Sequence, residues 1–343
     1  MLKLLYPTKD QYVSLQSPAQ EAFIKDEERR ATIDGNLTYC WYDLKIEGDE
    51  RTTPLPVEFS WQETTGDTEP SDAYFYLMIS ENQDMSNSWV YITKDTLYKV
   101  YNLKVDTVYY WRVQKHGKVS DISSFSTMPT LPRCLKIDGI SNVRDMGGYA
   151  VKGGKIRQGL AYRGGEFEPH MQLHPSGAIE LHRLGIKTEI DMRNEAINTI
   201  QLTAAQAIGI KRILVPFNPY QSVFCAEECE SLNAFFKLFT KKENYPVYFH
   251  CWGGADRTGT AAFILGSLLG MNYNDLIYEY EFTSLSVWGI RTRNYCNFIE
   301  FVDKFKRLDG ENLQEKARIF LKLYSNLTDN EIDEIQNILI EKG

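Results

Sequence analysis

Cys251 and Arg257 stand six positions apart around a glycine-rich turn, in the run His250, Cys251, Trp252, Gly253, Gly254, Ala255, Asp256, Arg257, Thr258, Gly259. These types at this spacing suit a nucleophile set beneath an anion. Gly253 and Gly254 let the backbone curl tightly, because glycine tolerates dihedrals that other residues avoid. A curled loop turns successive N–H groups inward, and a helix starting near Arg257 adds its positive end. The planar fork of Arg257 matches two oxygens of a phosphate. Such positive surroundings favour the thiolate of Cys251, its reactive form. A thiolate beneath a trigonal set of phosphate oxygens is poised for in-line attack on phosphorus.

The neighbouring sequence supplies the elements that must hold this loop. Val247, Tyr248 and Phe249 form an apolar, β-prone run, and residues 258–270 are rich in Ala, Leu and Ile and read as a buried helix. A strand therefore ends at Cys251 and a helix begins at Arg257. The loop resembles that of the cysteine-based phosphatases, a cysteine and an arginine six apart followed by Ser or Thr. Three further segments resemble a bacterial protein-tyrosine-phosphatase-like family. Residues 142–149 are similar to its Asn-Phe-Arg-Asp-Leu-Gly-Gly opening, and residues 159–165 to its next segment, where an arginine follows a tyrosine. Residues 184–193 resemble its Leu-Gly-Ile, strand, Asp-Leu-Arg segment, so the likeness spans about residues 134–343. It implies an α/β cysteine-phosphatase fold, a central sheet flanked by helices with a helical C-terminus. It also implies hydrolysis of phosphomonoesters through a phosphocysteine intermediate, with residues 251–257 binding the phosphate.

The leaving oxygen needs a proton as its bond to phosphorus breaks. Many cysteine phosphatases carry an aspartate upstream of the cysteine for this, yet no aspartate lies between Asp191 and Cys251. Asp256 matches the Asp-Arg-Thr-Gly version of the family's loop, and is expected to act as the acid and then as the base that activates water. It can also be read as a hydrogen-bond acceptor that stabilises the loop. Asp191 is the rival acid, since it ends a predicted strand where α/β sites form. An ion pair with Arg193 or a cap for the following helix is the other reading of Asp191. His250 is expected to orient the loop or tune Cys251. Thr258 either donates to the thiolate or caps the helix. Trp252 either lines the pocket mouth or packs against the sheet. Asp145, Arg144 and Arg163 match family positions near the site, either holding the loop or touching substrate.

Ala255 departs from the family. Members linked to phosphoinositides often carry lysine there, and Ala255 adds no charge. Phosphotyrosine is therefore favoured, although Lys152, Lys155, Arg291 or Arg293 can reach the site from elsewhere. The alternatives are a phosphoinositide or inositol phosphate phosphatase, and a phosphate-binding module without turnover. Arg257 and the loop amides meet the phosphate charge, so neither metal nor cofactor is called for. The partners expected are a phosphorylated protein, a small phosphomonoester or a phosphoinositide, with phosphate as product.

The first third reads differently. Short strand-like runs at 56–61, 73–79 and 109–113 recur between Asn, Asp, Gly and Ser. Leu103 followed by Tyr109, Trp111 and Val113 resembles the tyrosine-corner segment of fibronectin type III domains, with Trp61 as core tryptophan. A generic β-sandwich is the other reading, and neither gives this part chemistry. Pro129 and Pro132 mark a linker. The expected organisation is an N-terminal segment at 1–30, a fibronectin type III-like sandwich at 31–130 and the catalytic domain at 131–343. Segment 1–30 either adds an edge strand or lies loosely. Helices are expected at 175–184, 195–207, 227–240, 294–307 and 313–324, with a capping box at Thr328 and Glu331 opening a last one.

With 343 residues the chain is long enough for two cores. A net charge of −8 speaks against nucleic acid and anionic membranes as main partners. No stretch approaches the ~20 apolar residues of a membrane helix. The start, Met1 to Pro7, is too short for a leader. The compartment is left open: cytoplasmic if this start is native, extracytoplasmic if a leader was removed.

Overall fold

In the segment Val57–Glu63, Val57, Phe59 and Trp61 alternate with polar residues, and only the three apolar side chains are fully buried. That period of two forces a sheet to cover one face. In the computed structural model, which describes residues 2–33, 50–63, 74–194 and 203–343, two compact units form. One comprises Met1–Ser17 with Pro54–Leu131, the other Pro18–Thr53 with Pro132–Gly343.

The first unit is all β. A three-stranded sheet runs in the order Leu2–Tyr6, Val57–Glu63, Leu97–Val100. The second sheet runs Gln11–Val13, Ser123–Thr127, Val108–Lys115, Phe75–Ser80, Trp89–Thr93, with Lys118–Val119 paired to Val108–Lys115. Their inner faces share one core, in which the Phe59 and Trp111 rings meet edge-on at 5.1 Å. The buried Tyr109 hydroxyl accepts the Lys104 N–H at 2.9 Å.

The N-terminal segment is neither one piece nor loose. Leu2–Tyr6 pairs antiparallel with Val57–Glu63, and Gln11–Val13 runs parallel to Ser123–Thr127. Helices Pro18–Lys25 and Glu27–Thr32 instead belong with the second unit, as do residues 50–53. The sandwich therefore does not begin at residue 31. Phe23, fully buried, is what ties this segment to the second unit, edge-on to Phe282.

The second unit is mixed α and β. Its main sheet runs Arg133–Cys134, Arg144–Asp145, Ala161–Gly164, Val247–His250, Thr188–Asp191, Lys211–Leu214. The last four strands are parallel, and Gly164, His250 and Asp191 end level with one another. Helices cover this sheet, among them Pro175–Arg183, Cys229–Phe239 and Asp256–Leu269. The helical C-terminus follows the apolar spacing: Cys296–Lys306, Leu313–Tyr324 and Asp329–Leu339, the last opened by the Thr328–Glu331 capping box. Of the helix expected at 195–207, residues 195–202 lie outside the described residues, and Ala204–Ala207 is helical behind a Thr203–Gln206 capping box. Among the described residues no helix is long and apolar enough to cross a membrane.

Tyr109→Phe should cost about 0.5–1.5 kcal/mol by removing the acceptor of the half-buried Lys104 N–H. Denaturant unfolding followed by the tryptophans of the sandwich measures this, and an unchanged midpoint would show that the bond contributes nothing.

Candidate active site

The loop from Cys251 to Ala255 joins the central strand Val247–His250 to helix Asp256–Leu269. It lies beyond the carboxyl ends of the parallel strands, where open α/β sheets carry their sites. Its shape depends on its two glycines. Gly254 has φ +65°, and a Cβ there would lie 2.4 Å from the Gly164 carbonyl. A Cβ on Gly253 would lie 2.7 Å from Trp288 Cγ. Cys251 is buried and lines a cleft of about 700 Å³ that also takes in Asp256, Arg257, Tyr220, Trp288 and Arg291.

Buried donors hold the loop from behind. Asn142 Nδ2 donates to the carbonyls of Gly253 and Gly254 at 3.0 and 3.1 Å. Arg163 donates to the same Gly254 carbonyl and to Glu279 Oε2, the latter at 2.5 Å. Arg144 donates to Glu279 Oε1 at 2.9 Å and to Asn142 Oδ1. The Glu166 N–H takes the Trp252 carbonyl at 2.8 Å. In a planar trans peptide the N–H points opposite to the carbonyl. Pinning these carbonyls backward therefore turns the following N–H groups the other way. Burial works against the Glu279 charge, but Arg163 and Arg144 outweigh it and hold its carboxyl below the usual value. Arg163 thus contacts the loop itself and Arg144 its supports, and neither lines the cleft. Asp145 stands further off. It pairs with Arg133 at 2.5 Å and accepts the Gly147 and Gly159 N–H groups.

His250 sits on the other side of the strand end. Its Nε2 bonds Glu189 at 2.8 Å and its Nδ1 the Cys251 carbonyl at 2.7 Å. Burial disfavours the charged ring, but Asp191 and Glu189 outweigh it and raise its pKa. The stabilisation from that charge is full below the ordinary histidine value and fades as pH rises through the raised one. Asp191 is fully buried, with both oxygens taken by Arg193 and one also by Arg212. Against its burial, His250 and the arginines hold it far below the usual carboxylate range. This is the ion pair that its sequence also allowed. Glu189, Asp191 and His250 bring donor atoms within 4.8 Å of one another. Arg193 and Arg212 already supply the positive charge there, which makes the group an ion-paired core and a poor seat for a metal.

Asp256 faces the cleft, held at both oxygens. Arg291 spans it, Nε to Oδ1 at 2.8 Å and Nη2 to Oδ2 at 2.9 Å, and the Tyr220 hydroxyl donates to Oδ1. Burial opposes the charge, but Arg291 first, then Tyr220 and Arg257, lower its pKa. Burial, Tyr280 and Asp256 push the Tyr220 phenol well above its usual value, so it stays a donor. Arg257 Nη1 contacts the Met192 carbonyl and Asn194 Oδ1, each at 3.3 Å. Thr258 is fully buried, and its hydroxyl has no hydrogen-bond partner among the described residues. Trp252 lines the cleft and stacks on His170 at 4.0 Å. Ala255 is buried.

A family model described as the tyrosine phosphatase family matches residues 135–341. The chain belongs to the tyrosine phosphatase family. A candidate tyrosine-protein phosphatase of Cupriavidus necator is 26% identical to it, over 46% of this chain and 69% of the relative. Among solved structures, the core catalytic domain of an S. cerevisiae PP-IP phosphatase in complex with citrate is similar at 15% identity and a TM-score of 0.32, covering 56% of this chain and 91% of that one. A human fibronectin type III domain is similar at 19% identity and a TM-score of 0.19, covering 37% of this chain and 96% of the domain.

Several residues of the site carry no local sequence signal, Asn142, Arg291, Glu279, Tyr220 and Trp288 among them. Asn142 opens the segment 142–149 that resembles the family, with no sign in its type that its amide reaches the loop. Arg291 was one of four cations able to reach the site; Arg293, named beside it, instead pairs with Glu281. Glu279, Tyr220 and Trp288 belong to no motif. The left-handed backbone of Asn142 and Tyr220, at φ +65° and +58°, cannot be read from sequence.

Arg163→Met should destabilise the phosphatase unit by about 3–5 kcal/mol, since Glu279 would keep a buried charge with one partner fewer. Denaturant unfolding checks this, and a loss under ~1 kcal/mol would contradict the role assigned to the pair.

Proposed function

We propose that the phosphatase unit hydrolyses phosphomonoesters through a phosphocysteine intermediate, with aryl phosphates such as phosphotyrosine favoured. One observation carries this reading: a buried cysteine lining a cleft, on a loop whose carbonyls are pinned backward and whose following helix supplies Arg257. In the proposed reaction the Cys251 thiolate attacks phosphorus while the loop N–H groups and Arg257 take the equatorial oxygens. The P–O bond breaks and the leaving oxygen takes a proton from Asp256. Water then attacks the phosphocysteine, Asp256 takes its proton, and the thiolate leaves. The unpartnered Thr258 hydroxyl is suited to donate to that thiolate.

The proton inventory follows from Asp256. Arg291 and Tyr220 favour its ionised form, so the proton reaches it with a monoanionic substrate. A phosphomonoester with its second pKa near ~6 carries that proton only below that pH. The walls favour a flat group: Trp252, Trp288, Tyr220 and Tyr295 line the cleft. Polyphosphorylated inositol headgroups are served less well, because Asp256 already occupies the Arg291 fork and Ala255 adds no charge. A binding module without turnover would have no need of the cysteine. His250, Arg144 and Arg163 support the loop in this reading, and Asp191 supports His250.

The domain reading is also a proposal. Residues 54–131 with the first 17 make a fibronectin type III-like sandwich, supported by the Tyr109-to-Lys104 bond in the manner of a tyrosine corner. Residues 132–343, joined by 18–53, make the α/β cysteine-phosphatase unit.

Phosphate release should be measured for wild type, Cys251→Ser and Asp256→Asn. The panel holds aryl phosphates of good and poor leaving groups, phosphotyrosine and phosphoserine peptides, and mono- and polyphosphorylated phosphoinositides. Cys251→Ser should abolish turnover. Asp256→Asn should lose about 10²–10⁴-fold on poor leaving groups and little on good ones. Activity retained in Cys251→Ser would end the cysteine reading, and a phosphoinositide as best substrate would overturn the aryl preference. For wild type, kcat/KM should fall about tenfold per pH unit above the substrate's second pKa of roughly 6, and a flat profile to pH 8 would contradict the proton route.

A further inference from the structure

The cleft wall that carries Trp288 and Arg291 has little structure of its own. Residues 286–295 form neither helix nor strand. Backbone and polar groups of such a stretch must find partners elsewhere. Several of them come from the N-terminal helical segment, which lies outside the family match beginning at residue 135.

Phe23 sits edge-on to Phe282 at 5.5 Å and lies 6.0 Å from Tyr278. Arg30 is buried, its side chain 5% exposed, and meets the 1% exposed Glu281 carboxylate at 3.3 Å. The same carboxylate takes Arg293 Nε and Nη2 at 2.7 and 2.8 Å. Asn294 Nδ2 donates to the Ala31 and Ile33 carbonyls at 3.0 and 2.7 Å. Beyond this, the Arg51 N–H takes the Leu285 carbonyl at 2.8 Å, and Glu50 Oε2 accepts from the Ser141 hydroxyl and the Val287 N–H. Apart from the tie to Ser141, these contacts land on residues 278–294. Within that stretch Trp288 lies against Gly253 of the loop and Arg291 holds Asp256. A buried pair such as Arg30 and Glu281 adds little net stability but admits one geometry, and losing Arg30 leaves Glu281 with Arg293 as its remaining cation.

We propose that the N-terminal helical segment is a positioning element of the cleft, fixing through Arg30, Glu281 and Asn294 the wall that seats Trp288 and Arg291. Its kinetic consequence rests on the phosphatase reading above. The experiment uses the full chain as wild type, Asn294→Ala, Arg30→Met and Arg30→Lys. Each is examined by amide hydrogen exchange and by kinetics on a phosphotyrosine peptide, at a temperature where circular dichroism is native. Asn294→Ala removes no charge and guards against a simple failure of Arg30→Met to fold.

Exchange at residues 286–291 should quicken at least about tenfold in Asn294→Ala and Arg30→Met, with Val247–His250 unchanged. KM should rise about three- to tenfold with a smaller change in kcat, as the wall loses its seat. Arg30→Lys, which keeps a charge on Glu281, should recover most of both. Unchanged exchange at 286–291 in both variants would overturn the proposal, as would quickened exchange with a wild-type KM. Absence of turnover in the wild type would instead sink the phosphatase reading, and exchange at the wall would then decide this proposal alone.

Discussion

The site depends on where three backbone carbonyls point. Those of Trp252, Gly253 and Gly254 are taken by the Glu166 N–H, the Asn142 amide and the Arg163 guanidinium. Without those donors the loop would have no reason to turn its N–H groups toward an anion. Arg163 and Arg144 are two buried cations side by side, and Glu279 makes them tolerable. It comes from the helix Tyr273–Glu281, distant in sequence. A helix, two strand ends and one asparagine thus meet to orient a five-residue turn.

The acid–base group rests on a second set of contacts. Asp256 is the first residue of its helix, where a negative charge is favoured. Arg291 and Tyr220 add to that preference and fix its orientation. The Tyr220 hydroxyl also meets Tyr280 at 2.9 Å, which joins this set to the helix that carries Glu279. The same helix therefore supports both the phosphate loop and the carboxylate. The wall beyond it depends on Glu281, two residues on from Glu279, and on its pairing with Arg30.

Contiguity decided what could be read from sequence. Cys251, Gly253, Gly254 and Arg257 lie within seven positions, and their types alone suggest a phosphate loop. The strand before it and the helix after it follow from apolar runs, and the last helices follow from period, the final one also from the Thr328–Glu331 capping box. Arg144 and Arg163 lie in segments that resemble the family, but Glu279, whose carboxylate lets both be buried, belongs to no motif and lies more than a hundred residues away from either. The same cause hid the division of the N-terminal segment. Residues 21–30 are rich in charge, yet Phe23 and Arg30 are buried because Phe282, Tyr278 and Glu281 complete them.

The claim at the centre of this account is a covalent phosphate on Cys251. It is tested most directly by mixing the protein with a phosphotyrosine peptide, quenching in acid within one turnover, and mapping the phosphate by mass spectrometry. The account predicts one phosphate on the peptide that contains Cys251, decaying as inorganic phosphate appears, and accumulating when Asp256 is replaced and a good leaving group is used. Turnover with no covalent phosphate at any time point, or phosphate carried by another residue, would contradict it.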